Sequence, residues 1–512
     1  MGKEFSRIAA CLAFFLTLPL YAAPRRVILL HTNDLHGHFY GKLEAGRRPH
    51  NGYALENLVA HAEATRVEAG KDADVIVTFG GDLNTGTPES ALFRAAPDME
   101  LLRLAGLQVA VIGNHEFDNA PEVFEKQIRD AGFPWISANV ERRSGGLLVA
   151  PYHIIQAGGI KIGFIGLTTE QTEKIGNPQF IKPYAFKPAL AAARGYLPEL
   201  RGKTDFIIAL THLGFYKKGE VPFAATDDRL LAEEAADVNL ILGGHSHSLV
   251  NAENVNGTRI FQAKCFGAFL VRVDLEVEPR SAQGRAKYRF VESRTIDLRN
   301  PPERMAETVL TKRRRAQKIT EEYLAQSEKK FGETIAEAAD DFHYEREHVL
   351  ASPVTRLVVE SQLAESKADI ALLIAGGIRG GFKKGKITLR DVLTVLPFDN
   401  TVGIVEMQGK ELAELLRVHI LQSTDMGSYP VAAGIDISVD SEKKILRIQK
   451  DGKPFDLDRT YKVAFNSYVA SGGSGYPDYF AKGRFNDLGQ TDAMLLAAYL
   501  RKKGRISRAA LR

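Results

Sequence analysis

The sequence predicts an α/β protein, and three observations indicate this fold class. Short apolar, β-branched runs such as Val27–Leu30 and Val75–Phe79 recur along the first half, and each ends in a polar loop. Because these runs do not alternate with polar residues, we expect strands that are buried on both faces. Helical stretches such as 53–68 separate the runs, as in a layered α/β domain. The 512 residues are 45% apolar and 25% charged, which is ordinary globular composition and leaves room for about two to four domains.

The elements follow in order along the chain. In the first half, each strand leads into a loop with Gly, Asp, Asn or His, and such loops gather at one edge of a parallel sheet. After residue 333 a second α/β region begins, with glycine-rich turns at 376–377 and 472–473. The predicted strands are 27–30, 75–79, 109–112, 206–210, 239–242, 269–277, 287–296, 370–374, 402–407 and 461–465, and the predicted helices are 53–68, 99–105, 120–130 and about 303–330.

The N-terminus is typical of a secretory signal peptide. Lys3 and Arg7 precede an apolar run from Ile8 to Tyr21, and two small residues, Ala22 and Ala23, follow it. The run is shorter than the roughly 20 apolar residues that a membrane-spanning helix needs. We therefore predict that residues 1–23 are removed and that the protein is periplasmic or secreted.

No stable membrane anchor is expected after cleavage. Most of the apolar run follows Cys11, which argues against a lipid on that residue, and the basic C-terminus lacks the apolar tail of a glycolipid anchor. Cys265 is then the only cysteine of the mature chain, so no internal disulfide is predicted. We expect three parts after the signal: a first domain at 24–299, a linker helix at 300–332 and a C-terminal domain at 333–512.

The charge balance argues against a nucleic-acid partner. Lys plus Arg is 67 and Asp plus Glu is 63, so the net charge is only +4, whereas nucleic-acid binders carry a denser basic footprint. The one basic cluster, Lys312–Arg315, lies in the predicted linker helix, where a solvated helix face is the favoured interpretation. The sequence carries no signal for an oligomeric state.

Metal ligands are the most specific signal in the chain. With 2 cysteines, a Cys-rich site is excluded, and imidazole and carboxylate groups suit Zn, Mn, Fe or Co. Eight such groups are too many for one ion but suit two ions that share a carboxylate. They stand in the loops that follow five predicted strands: Asp34, His36, Asp82, Asn114, His115, His212, His245 and His247.

These loops carry a family resemblance. The five blocks resemble those of the calcineurin-like metallophosphoesterases, and the fuller strings at 31–38, 113–118 and 243–248 resemble the 5′-nucleotidase and UDP-sugar hydrolase branch. The resemblance extends to about Leu500. It implies an N-terminal layered α/β/β/α sandwich and a C-terminal α+β nucleotidase domain, with an activity that hydrolyses nucleotide phosphoesters.

The resemblance also implies a role for each ligand. Two divalent ions would generate a bridging hydroxide for in-line attack on the phosphate. Outside the ligand set, His115 would be the catalytic residue that serves the leaving oxygen, and Asp118 would orient its imidazole. The ligands implied for the first ion are Asp34, His36 and His247, those for the second are Asn114, His212 and His245, and Asp82 would bridge the two. For His31 and His38, ordinary hydrogen-bonded loop histidines are expected.

Substrate-binding residues are implied in the second domain. Phe398 and Tyr476 correspond to two rings that sandwich the base, and base–aromatic stacking is worth about 1–3 kcal/mol per base. Arg379 and Arg346 would bind oxyanions or hydroxyls through their planar guanidinium groups. Three of these residues have a structural alternative: Phe398 could belong to the core, Tyr476 could close a loop, and Arg346 could be a surface charge.

The sequence departs from the family at the base site. Ile374 stands where the family usually has an Asn that contacts the base, and the block at 353–357 reads Pro-Val-Thr-Arg-Leu instead of the usual Gly-Asn-Leu. Purine selectivity is therefore not expected. One alternative is a relative that has the same metal site but hydrolyses another ester, such as a thiosulfohydrolase or a general phosphomonoesterase. A second alternative is a non-catalytic binding protein, and the complete ligand set argues against it.

Overall fold

The computed structural model describes residues 25–41, 54–219, 221, 225–278, 287–345, 352–422, 426–440 and 445–511. The predicted signal peptide and Arg346 lie outside the described residues.

The first region consists of two sheets with helices on their outer faces. Its predicted strands and helices are confirmed to within a few residues. The strands at 135–136, 140–142, 152–157, 160–168, 184–186, 249–255 and 258–263 are additional. In chain order the elements are β1 (Arg25–Thr32), α1 (Ala54–Ala69), β2 (Ala73–Phe79), α2 (Pro88–Phe93), α3 (Ala96–Ala105), β3 (Leu107–Val111), α4 (Pro121–Asp130), β4 (Trp135–Ile136), β5 (Val140–Arg142), β6 (Tyr152–Ala157), β7 (Ile160–Thr168), α5 (Thr172–Ile175), α6 (Pro178–Ile181), β8 (Tyr184–Phe186), α7 (Ala189–Lys203), β9 (Phe206–His212), α8 (Asp228–Glu234), β10 (Leu240–Leu242), β11 (Leu249–Val255), β12 (Thr258–Ala263), β13 (Phe269–Glu278), β14 (Lys287–Asp297) and α9 (Glu307–Phe331).

Two six-stranded sheets form the centre of this region. One has the strand order β14-β13-β1-β2-β3-β4 and the other the order β11-β12-β10-β9-β7-β6. Strands β1, β2 and β3 are parallel to each other, as are β7, β9 and β10. The carboxyl ends of neighbouring parallel strands therefore meet at a common edge in each sheet, which is where the predicted metal ligands follow the strands.

Both faces of these strands are buried, as their unbroken apolar runs predict. Val27 and Leu29 of β1 point into the core between the two sheets. Ile28 and Leu30 point to the opposite face, where α1 and α3 cover the sheet. Helix α7 covers the outer face of the second sheet. The four layers confirm the predicted α/β/β/α sandwich.

The second region is built on a five-stranded sheet whose strands are, in order across the sheet, β19 (Pro430–Ala433), β16 (Ile370–Ile374), β23 (Thr460–Asn466), β18 (Thr401–Gln408) and β24 (Phe485–Thr491). Its three predicted strands, which correspond to β16, β18 and β23, are confirmed. The elements are β15 (Thr334–Ala338), α10 (Pro353–Ser366), β16 (Ile370–Ile374), β17 (Gly385–Thr388), α11 (Leu389–Val395), β18 (Thr401–Gln408), α12 (Gly409–Leu421), β19 (Pro430–Ala433), β20 (Asp436–Asp440), β21 (Ile445–Lys450), β22 (Lys453–Pro454), β23 (Thr460–Asn466), α13 (Ser467–Ala470), β24 (Phe485–Thr491), α14 (Asp492–Lys503) and β25 (Arg505–Ile506).

Helix α9 packs along the first region. Ala316 and Ile319 belong to the core that α1 and α3 share with the sheet. Two residues of the basic cluster pair with α1: Lys312 Nζ lies 2.6 Å from Glu63 Oε2, and Arg313 lies 2.9 Å from the buried Glu56. These two members thus bind the neighbouring helix, and only the remainder of the cluster fits the expected solvated face.

A buried carboxylate joins the two regions at the end of α9. Glu89 of α2 accepts hydrogen bonds from Tyr40 Oη at 2.9 Å and Ser327 Oγ at 2.5 Å. Arg390 of α11 donates to the same carboxylate at 2.5 Å, and it also bonds Glu328. One residue of the first region thus holds the linker helix and the second region together.

Across the described ranges, none of the helices combines the length and the apolar content that crossing a bilayer requires.

Candidate metal centre and active site

The seven predicted ligands converge at the carboxyl edge of the two sheets. Asp34 and His36 follow β1, Asp82 follows β2, and His212 ends β9. All but two are at most 5% exposed, and five have backbone φ angles in the left-handed region, which non-glycine residues seldom adopt. Such strain clusters where a site over-determines the backbone. The five are Asp34 (52°), His36 (50°), Asp82 (59°), His245 (82°) and His247 (55°).

The side chains form two groups joined by Asp82. In the first group, His36 Nε2 lies 3.0 Å from His247 Nε2, and His247 Nε2 lies 3.4 Å from Asp34 Oδ1. In the second group, His245 Nδ1 lies 2.9 Å from Asn114 Oδ1. Asp82 Oδ2 lies 3.6 Å from His36 Nε2 and 3.0 Å from His212 Nε2. Asp82 is therefore within reach of a histidine from each group.

The donor set fits cations. His212 Nδ1 donates to Gly80 O at 2.7 Å, and its buried Nε2 faces Asp82 Oδ2 at 3.0 Å. His36 is arranged in the same way, with Nδ1 donating to Thr85 O at 2.8 Å. A ring nitrogen this close to a carboxylate oxygen requires positive charge, either a proton on the ring or a cation between the two groups. Burial disfavours the charged form of His212, but the carboxylates of Asp82 and Asp34 outweigh burial and raise its pKa to about 10.

His115 and Asp118 form a dyad beside this centre. His115 Nδ1 lies 2.5 Å from Asp118 Oδ2, and the His115 backbone N–H donates to Asp82 Oδ1 at 2.9 Å. Burial disfavours the imidazolium of His115, but the carboxylates of Asp118 and Asp82 raise its pKa. The pairing holds the imidazole with Nε2 available to a substrate, as in other carboxylate–histidine pairs.

Glu116 holds the two ligand loops of the first sheet together, a role that the sequence did not reveal. Its buried carboxylate accepts hydrogen bonds from the backbone N–H groups of Asp82 (3.0 Å), Leu83 (2.7 Å) and Gly113 (2.7 Å). Burial and the nearby Asp82 raise the pKa of Glu116 to about 7. The geometry fixes the spacing between the loops that carry Asp82 and Asn114.

Asp228 is the corresponding group in the second sheet. Its carboxylate accepts from Thr211 Oγ1 at 2.6 Å and from Gln262 Nε2 at 2.8 Å, and Gln262 Oε1 accepts from Ser246 Oγ at 2.7 Å. This chain of bonds links the strand end that bears His212 to the loop between His245 and His247.

His31 and His38 are ordinary hydrogen-bonded histidines, as predicted. His31 Nε2 bonds Gly243 O and Nδ1 bonds Thr78 Oγ1, both at 2.9 Å. His38 Nδ1 bonds the carbonyl of His36 at 3.0 Å.

A cleft of about 350 Å³ extends from the metal centre into the second region. Phe398 and Arg379 line it as predicted, with the Phe398 ring 6.2 Å from the His115 ring and the guanidinium 5.4 Å from the Phe398 ring centre. Ile374, at the end of β16, also lines the cleft. The cleft thus places an aromatic ring, a cation and an apolar side chain beside the dyad.

Tyr476 is not placed in the cleft, which corrects its assignment as the second stacking ring. Tyr476 is 4% exposed, its ring stacks on His419 at 3.7 Å, and its hydroxyl donates to Ser428 O at 3.1 Å. Tyr468 lines the cleft instead and donates to Ile175 O of the first region at 2.8 Å. Tyr468 follows β23 directly, and the strand-exit criterion that found the metal ligands would have found it.

Comparison with family models identifies both regions. Residues 28–249 match the model of the calcineurin-like phosphoesterases, and residues 326–482 match that of the 5′-nucleotidase C-terminal domain. Together with the His, Asp and Asn groups at the sheet edge, these matches define the protein as a metallophosphoesterase, an enzyme class that uses divalent metal ions.

Similar proteins narrow the class. The chain is 33% identical over 508 residues to a 5′-nucleotidase of Vibrio cholerae, covering 93% of this chain and 90% of the relative. It is 32% identical over 520 residues to the protein UshA of Escherichia coli, covering 93% and 91%. The chain therefore belongs to the 5′-nucleotidase family.

Solved structures share this architecture. The 5′-nucleotidase precursor of Thermus thermophilus aligns with a TM-score of 0.77 and 27% identity, over 94% of this chain and 97% of that chain. The sulfate thiohydrolase SoxB of Thermus thermophilus aligns with a TM-score of 0.70 and 19% identity, over 96% of both chains. At that identity, the second likeness shows the fold alone.

Proposed function

We propose that the protein is an exported phosphohydrolase that uses two divalent ions to cleave nucleoside 5′-monophosphates, with nucleotide sugars and cyclic nucleotides as further substrates. The observation that supports this proposal is that one cleft brings three sets of side chains together. Candidate metal ligands, the His115–Asp118 dyad and the aromatic pair Phe398 and Tyr468 line or adjoin the same cavity. A phosphate at the metals would leave the rest of a nucleotide among the rings.

The candidate ligands divide between the ions as the family resemblance implies. Two ions, when bound, supply neutralisation of the phosphate charge and a water of lowered pKa. Asp82 lies between the two groups and would be the ligand that both ions share. The proposed ligands of the first ion are Asp34, His36 and His247, and those of the second ion are Asn114, His212 and His245.

His115 serves the leaving oxygen. Its Nδ1 is held by Asp118 at 2.5 Å, so Nε2 is the atom that meets the ester. Asp118, which lies outside the proposed ligand set, raises the pKa of His115 and so stabilises the protonated imidazole that gives a proton to the leaving alkoxide.

The nucleoside lies between the faces of Phe398 and Tyr468. Stacking on aromatic faces tolerates different bases, and Ile374 offers no polar atom to a base edge. Arg379 provides a planar cation for a phosphoryl or ribose oxygen. We therefore expect hydrolysis of purine and pyrimidine monophosphates with similar efficiency.

One set of measurements tests the proposal. The mature protein is reconstituted with Mn²⁺ or Zn²⁺, its metal content is measured, and hydrolysis of AMP, UDP-glucose, 2′,3′-cyclic AMP and an aryl phosphate is compared. We expect close to two ions per chain and a clear preference for AMP over the aryl phosphate. Fewer than about one ion per chain would contradict the two-metal site.

A non-nucleotide ester is the alternative substrate, and Ile374 is the observation that favours it, because an apolar side chain lines the cleft where the family usually contacts the base. Hydrolysis of the aryl phosphate without hydrolysis of any nucleotide would support this alternative. The two aromatic rings that line the cleft, Phe398 and Tyr468, favour the nucleotide.

Export rests on the N-terminal sequence alone. We expect the mature protein from a secreting host to begin at or near Pro24, after the small residues Ala22 and Ala23. Sequencing of its N-terminus tests this, and a mature protein that keeps Met1 would contradict it.

A further inference from the structure

Gln171 is a buried amide in the cleft wall for which the proposed chemistry has no role. It precedes α5, is 3% exposed, and lines the cleft beside Asn114, His115 and His245. Its backbone is fixed by hydrogen bonds within the turn, including Lys174 N–H to Gln171 O at 2.7 Å. The side chain therefore stands at a defined place next to the proposed second ion.

The orientation of the amide follows from its neighbour. His245 Nδ1 lies 2.9 Å from Asn114 Oδ1, on the side of the proposed ion. When the proposed ion takes Nδ1, the proton lies on the other ring nitrogen, Nε2, and Gln171 Oε1 lies 3.5 Å from it. A metal-binding histidine usually donates its second N–H to an oxygen of this kind. Gln171 thus accepts through Oε1 and keeps Nε2 as its donor.

That donor has no acceptor within the part of the chain that the structure describes. Gln171 Nε2 is buried and makes no hydrogen bond there. A buried donor without an acceptor destabilises a fold, and folded proteins seldom keep one. In a cleft that is built for a phosphoester, the missing acceptor is an oxygen of the ligand.

We propose that Gln171 is a substrate-binding residue whose Nε2 donates a hydrogen bond to a phosphoryl oxygen, while its Oε1 orients His245. This inference rests on the proposed function, because it takes the phosphate to lie at the metal centre. Gln171 would then give the phosphate an uncharged hydrogen-bond donor in addition to the ions and Arg379.

The isosteric variant Gln171→Glu distinguishes the role of the acceptor Oε1 from the role of the donor Nε2. A carboxylate still accepts from His245, but it replaces the donor with a negative oxygen that faces the phosphate. Asn177→Asp is the matched control, since it adds the same charge elsewhere in the cleft lining, at a side chain whose oxygen already caps Gln179 N–H at 3.0 Å.

The measurements are metal content and calorimetric titration with orthophosphate on the metal-loaded protein, followed by KM and kcat for AMP. We expect Gln171→Glu to keep both ions, to weaken orthophosphate binding at least about tenfold, and to raise KM for AMP, since hydrogen bonds to charged groups are among the stronger ones. Asn177→Asp should change orthophosphate binding less than about threefold, by screened charge alone.

Two results would overturn the inference. Orthophosphate affinity equal to that of the wild type would show that Nε2 does not meet the phosphate, and loss of an ion from Gln171→Glu would show that the side chain acts only on His245. Either result is compatible with a wild-type protein that binds two ions and hydrolyses AMP, so the proposed function would stand. A wild type that binds no ions would instead refute the proposed function.

Discussion

The cleft has two halves that are built in different ways. The metal half holds the seven candidate ligands, and the nucleoside half holds Phe398 and Tyr468. At the metals, side chains stand on loops that leave parallel strands, and their second polar atoms are bound to the backbone, as in His36 to Thr85 O and His212 to Gly80 O. In the nucleoside half, Phe398 lies on a loop and Tyr468 in the short helix α13, and both face the metals from the second region. The first half is fixed by one domain, whereas the second depends on how two regions meet.

Substitution of the shared carboxylate, Asp82, should have the largest effect on activity and tests whether the metal half depends on it. Asp82→Asn removes the charge that lies near histidines of both groups, so we expect loss of at least one ion and a fall in kcat/KM of about 1,000-fold or more. Metal analysis and steady-state kinetics measure both. A variant that retains two ions and near-normal turnover would show that Asp82 is not shared.

The dyad should affect turnover without affecting the metals. For His115→Asn we expect a decrease in kcat of about 10²–10⁴-fold, the usual contribution of a positioned acid or base, with the metal content unchanged. If this variant loses an ion, His115 belongs to the ligand set and its catalytic assignment is wrong.

The pH profile sharpens the same assignment. Asp118 raises the pKa of His115, so Asp118→Asn should lower that pKa, and the protonated imidazole should be lost at a lower pH. We expect the alkaline limb of the kcat profile to move to lower pH. An alkaline limb that stays in place would separate Asp118 from the proton transfer.

Glu116 tests whether the metal half depends on its backbone bonds. Glu116→Gln disturbs the acceptor for three N–H groups in two ligand loops, and we expect metal affinity to fall by about 10–100-fold, as when outer partners of ligands are changed. Asp98→Asn is the matched control, since Asp98 is also a buried carboxyl but lies in α3, outside the site. Equal metal affinity in both variants, measured by calorimetry, would contradict this role.

Aromatic variants give the smallest effects and test the nucleoside half. Phe398→Leu should raise KM for AMP about tenfold, from a stacking contribution of about 1–3 kcal/mol, and leave an alkyl phosphate unaffected. Tyr476→Leu should raise KM for AMP less than Phe398→Leu does, because the Tyr476 ring lies against His419. A larger KM effect for Tyr476→Leu than for Phe398→Leu would restore the sequence-based assignment.

The sequence predicted that the candidate ligand side chains meet at one sheet edge, because strand ends and the ligand motifs determine their positions locally. Val27–Leu30 and Val75–Phe79 indicate buried parallel strands, and the residues that follow them must meet at one edge. In the nucleoside half, the direction of a ring depends on the turn that carries it. The turn before Tyr476 has φ angles of 92° at Gly472 and 54° at Ser474, and no local pattern reveals that these turn the ring into the core.

Helix α9 has a practical consequence for dividing the molecule. A shortened protein that ends at residue 299 would lose the surface that Ala316 and Ile319 cover on α1 and α3, together with the ion pairs to Glu56 and Glu63. We expect it to aggregate through the uncovered apolar face. A version that ends at Gly332 keeps that cover, so the metal half should be obtained as a separate soluble piece only with the helix attached.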